Sequence, residues 1–393
     1  MKTVEEMSAA RASRLTSLRV HGPFRGPSGY DHHVREFVRE LVHQGVAVQL
    51  IDLPSWSPVK LPAAMRDPWF EDLLRPLDAE ITLHFTMPHQ VEIDRSTLNV
   101  NYTSFESTRV PDNWIERNLR HDMVIVSTES SRRAWLNSGM PDERIRVVPL
   151  GINPHLYGVP VEPLAFRTQA GRPVLDYPTR FLNVSELGPR KNIVGLLHAW
   201  LDATRELDGA ILILKLGRYA PGWFELLLLQ MRQLEDSTGR RFADAAPVEM
   251  LLDLLPDDEM PHLFAAGTHY ISLSHGEGWD QTMVEAAASG LRLIAPDHSA
   301  YQAYLTPATA TLLPSREIPA RFEGDPALQA LFAGSNWWEP DHDAAVAAIR
   351  AAIARPDAGP YGARDVLLRD FTWERATSRL IDVLGEVLDN VRA

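Results

Sequence analysis

The 393-residue chain contains no cysteine. That absence excludes disulfides, thiolate-held metal centres and thiol nucleophiles together. No apolar run approaches the about 20 residues that a membrane-spanning helix needs. The opening stretch MKTVEEMSAARASRLTS also lacks the apolar segment of a secretory signal. Lysine is scarce: four of the 39 basic residues are lysine (positions 2, 60, 191 and 215), leaving 35 arginines. Positive charge is outnumbered by 52 acidic residues, and the net charge of −13 argues against nucleic acid as a partner. It leaves room for at most weak peripheral contact with an anionic membrane, carried by Arg11, Arg14 and Arg19. G-x-S-x-G and Walker A motifs are missing, so hydrolase and P-loop readings have no anchor. There is no heptad, fixed-period repeat or low-complexity tract. What remains is the composition of a soluble, cytoplasmic, globular protein of two or three domains. The arginine and alanine bias fits a bacterial genome rich in G and C.

What the chain does have is alternation. A short apolar run at 18–20 leads into a loop with Gly22, Gly26 and Gly29. In the following segment Val34, Phe37, Val38, Leu41 and Val42 fall on one helical face, stopped by Gly45 before an apolar strand at 46–51. Strand, glycine loop, helix and strand make a βαβ unit, which implies a parallel sheet. Further strands are expected at 81–85, 98–102, 123–126 and 145–148, with a helix at 129–138. Between 150 and 180 five prolines and no helical face suggest a linker. A second series places strands at 181–184, 211–216, 248–252, 270–273 and 291–295. Helices are expected between them at 189–206, 222–235, 257–266 and 280–289. Residues 306–340 break the alternation and read as an insertion. The resulting division is a loose tail over 1–17, a Rossmann-like domain over 18–155, a linker over 156–179, a second Rossmann-like domain over 180–372 and a closing helix over 373–393.

In open α/β sheets ligands sit at the carboxyl ends of strands, beside helix N-termini. The loop HGPFRGPSGY is so placed, and its glycines read either as shapers of a turn or as a close approach to an anion. Arg190 and Lys191 in GPRKN are expected at a helix start, where the macrodipole disfavours cations. They read as a solvated pair or as two holders of an anionic ligand. In SHGEGWDQTMVEAAASG, Glu277 and Glu285 are separated by seven residues, one on a loop and one on the following helix. A carboxylate accepts two hydrogen bonds at once, which suits a vicinal diol. The one D-x-D, Asp341-His342-Asp343, is read as a helix cap in preference to a metal site. An excursion with Trp56, Trp69 and Phe70 offers aromatic faces to a sugar ring or packs down its own loop. Histidines 32, 33, 89, 275 and 298 read as solvated or supporting groups.

The run HGEGWDQTMVEAAASG resembles the donor-site motif of retaining family-4 glycosyltransferases with the GT-B fold. GPRKN is similar to the family's phosphate loop, the stretch ending in VVPLGIN to the close of its first domain, and FTWERATSRL to its closing helix. The resemblance implies two tandem Rossmann-like doubly wound domains facing a cleft, with the C-terminal helix crossing back to the first. It implies a nucleoside diphosphate sugar as donor, a glycan or other hydroxyl acceptor, and no metal or other cofactor. By position, Glu285 would bind the ribose hydroxyls and Glu277 the transferred sugar. Lys191, with Arg190, would hold the diphosphate. Gly276 and the backbone from Gly278 through Trp279 and Asp280 to Gln281 would face phosphate or sugar. In the first domain, His84 would stand near the sugar and Gly29 near the diphosphate. Trp56, Trp69 and Phe70, read from residue type alone, suit an acceptor wall or lid, or pack down their own loop. The sequence departs from the family pattern at Glu186, where an arginine is usual, at Asp280 for a glycine and at Thr282 for a proline.

Overall fold

The structure, a computed structural model, describes residues 15–56, 59–217, 222–322 and 325–392. Most of the expected tail, with Arg11 and Arg14, lies outside the described residues. The chain divides into two compact units, one running to Gly151 and resuming at Asp370, the other Ile152–Arg369. No described helix is long and apolar enough to cross a membrane.

In the first unit the strands are β1 (Ser17–Gly22), β2 (Ala47–Asp52), β3 (Ile81–Phe85), β4 (Leu98–Tyr102), β5 (Met123–Val126) and β6 (Ile145–Val147). They form one parallel sheet in the order β2-β1-β3-β4-β5-β6. The helix after β1, α1 (Gly29–His43), begins where the Ser28 side chain accepts from Asp31 N and ends before Gly45, whose φ of 87° a side chain would disfavour. Its Val34, Phe37, Val38 and Leu41 are fully buried. The expected apolar face is therefore the one that packs. Two more helices, α2 (Asp112–Asn118) and α3 (Glu129–Asn137), serve β5 and β6.

In the second unit the strands are β7 (Thr179–Ser185), β8 (Ala210–Leu216), β9 (Val248–Leu251), β10 (His269–Ile271), β11 (Arg292–Pro296) and β12 (Thr311–Leu313). Their order is β12-β11-β10-β7-β8-β9, again all parallel. The helices of seven or more residues are α4 (Ile193–Ala203), α5 (Trp223–Thr238), α6 (Met260–Ala266), α7 (Gln281–Ala288), α8 (Pro326–Phe332), α9 (His342–Ala354) and α10 (Ala363–Asp370). Every residue of β8 is buried, as expected of a parallel strand covered on both faces. Leu196, Leu197 and Trp200 of α4 pack with Ala345, Val346 and Ile349 of α9 in one core with Leu212, Leu214 and Ile271. In each sheet the order in which strands are added reverses at one point, between β1 and β3 and between β7 and β10. A doubly wound sheet binds ligands at that switch point.

Three expectations need correcting. The stretch expected as a linker over 156–179 folds onto the second unit: Leu164 N donates to His262 O at 2.7 Å and Val174 is fully buried. Its prolines deny it a ladder of donors, so it packs as irregular chain. The insertion over 306–340 begins with an edge strand of the main sheet, β12. It continues as an antiparallel hairpin of β13 (Ser315–Pro319) and β14 (Asn336–Pro340). Finally, α4 starts at Ile193, so Arg190 and Lys191 sit in a 3₁₀ turn just before the helix.

The last helix, α11 (Trp373–Arg392), belongs to the first unit and packs on α1. Gln44 Nε2 donates to Glu374 O at 2.9 Å, and the Trp373 and Phe37 rings lie 5.2 Å apart. Gly151 permits this return, because a Cβ there would lie 2.3 Å from Trp373 N and 2.5 Å from its Cα. Backbone cannot give way as a side-chain tip can. Gly151→Ala is expected to destabilise the first unit by about 1–3 kcal/mol, the usual cost of overpacking. Urea denaturation with a probe on Trp373 checks it, and an unchanged midpoint would mean that the C-terminal segment is not tightly docked.

Candidate functional site

The second unit's switch point is where β7 and β10 diverge, and the loops leaving these strands carry the expected motifs. After β7 comes the turn Pro189–Lys191, and after β10 the loop through Ser274, Gly276 and Glu277 into α7. One backbone and one side-chain hydrogen bond tie the two loops together. His275 N donates to Arg190 O at 2.8 Å, and Asn192 Nδ2 to Leu273 O at 3.0 Å. Asn192 also caps α4, its Oδ1 accepting from Gly195 N at 3.1 Å.

Glu277 is the centre of the arrangement. It is 5% exposed, yet it is compensated on every side. Lys191 Nζ donates to its Oε1 at 2.7 Å, Arg190 to its Oε2 at 3.0 Å, and the Ser274 hydroxyl to Oε1 at 2.7 Å. Burial pushes the carboxyl pKa up. Lys191 and Arg190, with the hydrogen bonds, outweigh that and bring it down to about 2. Arg190 also donates to Gly276 O at 2.7 Å, which fixes the guanidinium over the loop. Both cations are about one-fifth exposed, so one side of each remains open to solvent.

A second layer holds that loop from behind. Glu277 N donates to Ser299 Oγ at 3.1 Å, and Ser299 Oγ lies 2.9 Å from His298 Nδ1. His298 Nε2 donates to Ser274 O at 3.0 Å. Burial holds His298 down at about 3, and the neutral ring, one nitrogen accepting and the other donating, satisfies both neighbours. Trp338 stacks on His298 at 5.2 Å, and Trp337 on His275 at 5.6 Å. His275 Nε2 in turn bonds Glu339 Oε2 at 3.0 Å. The hairpin of β13 and β14 thus braces the loop, a role that its polar, proline-bearing sequence does not announce.

Asp280 occupies a left-handed conformation, φ 61° and ψ 71°, where glycine is favoured and Asp is among the better-tolerated side chains. Its carboxylate caps α7 at Met283 N, 3.4 Å, and accepts from Tyr301 OH at 2.7 Å. Thr282 Oγ1 lies 3.0 Å from Val184 O and 2.7 Å from Tyr270 OH, pinning the start of α7 to β7. A proline at 282 could make neither contact. The two departures from the resembled motif are therefore linked, the one as a cap and the other as an anchor. Burial first, then the charge of Glu277, raises the Asp280 pKa. Among the described residues the non-glycine positions with positive φ are Asn192, Asp280 and Ser299. Asn192 and Asp280 lie on these loops and Ser299 on the segment after β11 that braces them, and each such conformation costs on the order of 1–3 kcal/mol.

The remaining expected donor residues are close by in sequence and structure. Glu285 is buried in α7, Gly276, Gly278 and Trp279 are buried in the loop, and Gln281 opens the helix half-buried. Tyr304 OH donates to Trp279 O at 2.8 Å. Glu186 is exposed just after β7.

In the first unit, Gly29 is the first residue of α1, and a Cβ there would meet nothing within 4 Å. The loop before it is partly committed: Gly26 N and the Ser28 hydroxyl both donate to Asp31, a buried acid that the sequence reading passed over. His84 lies within β3 and is 1% exposed, with Nε2 3.0 Å from Asn99 Oδ1. Burial lowers its pKa to about 4, so its ring is neutral. His21 and His121 pack edge-on to it at 5.6 and 6.0 Å. Trp56 is half-buried against Tyr30, ring centroids 4.5 Å apart, and Trp69 is half-buried against Phe70 at 5.1 Å. Phe70 itself is a packing residue, 2% exposed, against Phe24 and beneath the Arg39 guanidinium. Of the other histidines considered, His33 is buried among aromatic rings and His89 is exposed beside Trp114.

No family model matches the sequence, and no curated protein matches it. Solved structures do match in shape. HepE from Anabaena, in complex with UDP and glucose, superposes with a TM-score of 0.62 at 13% identity, over 94% of this chain and 100% of that one. Sucrose-phosphate synthase from Thermosynechococcus elongatus gives 0.63 at 14%, over 95% and 100%. The lipopolysaccharide outer core galactosyltransferase WaaB, in its apo form, gives 0.58 at 13%, over 94% and 99%. At such identities the likeness is one of fold, and it extends over nearly the whole chain. With its two parallel six-stranded sheets and its last helix returned to the first unit, the chain has the two-domain GT-B fold.

Proposed function

We propose that the protein is a retaining, metal-independent glycosyltransferase of bacterial polysaccharide assembly. It would move a sugar from a nucleoside diphosphate sugar to a hydroxyl on a glycan, a lipid-linked sugar or a small molecule. As part of the same proposal it works in the cytoplasm, with at most weak peripheral contact with the inner membrane leaflet. The observation that carries the reading is the meeting of Lys191, Arg190 and Glu277 at a switch point, beside a helix that bears the buried Glu285. HepE and WaaB, which share the fold, are respectively a UDP- and glucose-bound protein and a galactosyltransferase.

The chemistry follows from the charges. Transfer breaks the anomeric C–O bond, and the electron pair leaves with the diphosphate oxygen while the sugar carbon becomes electron-poor. Lys191 and Arg190 stabilise the leaving charge from fixed positions, without reorganisation at the moment of reaction. Glu277 stands beside them to support the electron-poor carbon, and Glu285 accepts from the ribose hydroxyls. The acceptor oxygen bonds to the anomeric carbon on the face that the diphosphate leaves. Its proton passes to the departing phosphate oxygen, so no protein base is required.

A second reading is a protein of the same fold that binds a nucleotide sugar or glycan without turnover. Glu186 favours it, an exposed carboxylate at the phosphate end of β7 in place of the arginine of the resembled family.

A thermal-shift panel of UDP, GDP, ADP and TDP with their sugars separates these readings. One nucleotide is expected to raise the midpoint, by the same increment in EDTA as in Mg²⁺. At a hundred times its Kd the ligand adds about 2.7 kcal/mol to folding stability. Binding without sugar release in a coupled assay would favour the second reading, and no response to any nucleotide or nucleotide sugar would overturn the first and leave of the second only glycan binding. Lys191→Ala is expected to lower kcat by roughly 10²–10³-fold. A folded variant with unchanged kcat would remove Lys191 from the catalytic set. Glu285→Ala is expected to act on nucleotide affinity, so titration calorimetry should show weakened binding. Retained affinity with lost turnover would mean that Glu285 does other work.

A further inference from the structure

Asp341 is the helix cap expected of it: its Oδ1 accepts from Ala344 N at 2.7 Å at the start of α9. The histidine between the two aspartates has a different environment. His342 Nε2 lies 2.9 Å from Asp202 Oδ2, and His198 Nε2 lies 3.4 Å from the same oxygen. His198 and Asp202 are four residues apart on α4, so their side chains stand together on one face. The two imidazole rings are 4.3 Å apart, and the three ligand atoms all lie within 4.8 Å of one another.

We infer that His198, Asp202 and His342 form a binding site for a divalent transition ion of the zinc class, which clips α4 to α9. An ion bonded at about 2.0–2.1 Å in tetrahedral geometry separates its ligand atoms by about 3.3 Å. The two nitrogen–oxygen distances, 2.9 and 3.4 Å, straddle that value, so an ion enters with small side-chain adjustments. Two imidazoles and one carboxylate suit zinc, nickel or cobalt, and disfavour magnesium and calcium, which take oxygen ligands. Each of the three side chains is about one-third exposed, which gives the ion an entry path and a water its fourth coordination position.

The surroundings orient the ligands. Arg350 and Arg240 donate to Asp202 O at 2.7 and 3.0 Å and so fix the end of α4. Arg240 also lies 3.4 Å from Asp202 Oδ1, leaving Oδ2 for the ion. Its positive charge opposes a cation, so affinity in the micromolar range is expected rather than that of a closed structural zinc centre. The site is separate from the loops at the switch point but joined to them by chain. Lys191 directly precedes the Asn192 cap of α4, and Glu339, the partner of His275, precedes α9 by a few residues.

The test uses the full-length, tag-free protein stripped with EDTA and dialysed into chelator-free buffer. Titration with ZnCl₂ by calorimetry is expected to give one equivalent at micromolar Kd. The same Zn²⁺ should raise the thermal midpoint by several degrees, while Mg²⁺ at equal concentration should not. His198→Ala, His342→Ala and Asp202→Asn should each weaken Zn²⁺ binding by at least tenfold. Asp202→Asn keeps the shape and remains informative should an alanine variant fold poorly. The inference is overturned by an absence of heat and of midpoint shift at 100-fold excess Zn²⁺. It is overturned equally if the His198→Ala/His342→Ala double variant binds one equivalent as tightly as the parent. In either case the three residues are a hydrogen-bonded seam between two helices. The readout is metal binding, so its outcome is independent of sugar transfer.

Discussion

A buried carboxylate held by two cations is the constraint on which the rest of the second unit's site depends. Glu277 is almost wholly out of water, and an unpaired ion there would cost several kcal/mol. Lys191, Arg190 and Ser274 remove that cost, but only while the two loops that carry them stay in register. The bonds from His275 N to Arg190 O and from Asn192 to Leu273 O secure that register. The Ser299–His298 relay and the hairpin tryptophans hold the loop from the other side. The three strained residues are tolerated because each also supplies a hydrogen bond that its neighbours need. Asn192 and Asp280 cap the helices that follow them, and Ser299 accepts the Glu277 amide.

How much of this was legible in the sequence depends on the length scale of the signal. The fold was. Continuous apolar runs such as 123–126 and 211–214 fall in strands, because a parallel strand covered on both faces favours such residues. The loops of the second unit's site were legible as well, since glycines, paired cations and spaced acids stand out against apolar strands. Helix starts were less so. The left-handed cap at Asn192 moves α4 past the two cations, and a backbone angle is not written in a hydrophobic period. The three-residue edge strand β12 and the hairpin after it are too short and too polar to carry a period at all. The metal-ligand group was invisible for a simpler reason: His198 and His342 are distant in sequence, and only folding brings α4 and α9 together.

The first unit shows the opposite lesson. His84 is picked out by position in a resembled pattern, and the local geometry gives it a structural occupation of its own. His84 is packed between two other histidines and bonded to Asn99. The glycine loop binds an acid from its own chain, Asp31. Aromatic residues divide in the same way, Phe70 being core while Trp56 and Trp69 keep one side toward solvent. Residue type narrows the choice, and burial decides it.

The Glu277 pairing has a further consequence for selectivity among anions. In the resting protein the two cations already have a counter-ion, supplied from within and tethered, so it does not diffuse away. A newcomer gains access to Lys191 and Arg190 only by being the better partner. A singly charged anion offers no more charge than the carboxylate it must displace and would have to be ordered as well. A ligand with two or more charges on adjacent groups can engage both cations and leave the carboxylate its serine. On the proposed donor reading, the internal acid would act as a charge threshold that simple anions do not cross and polyanions do.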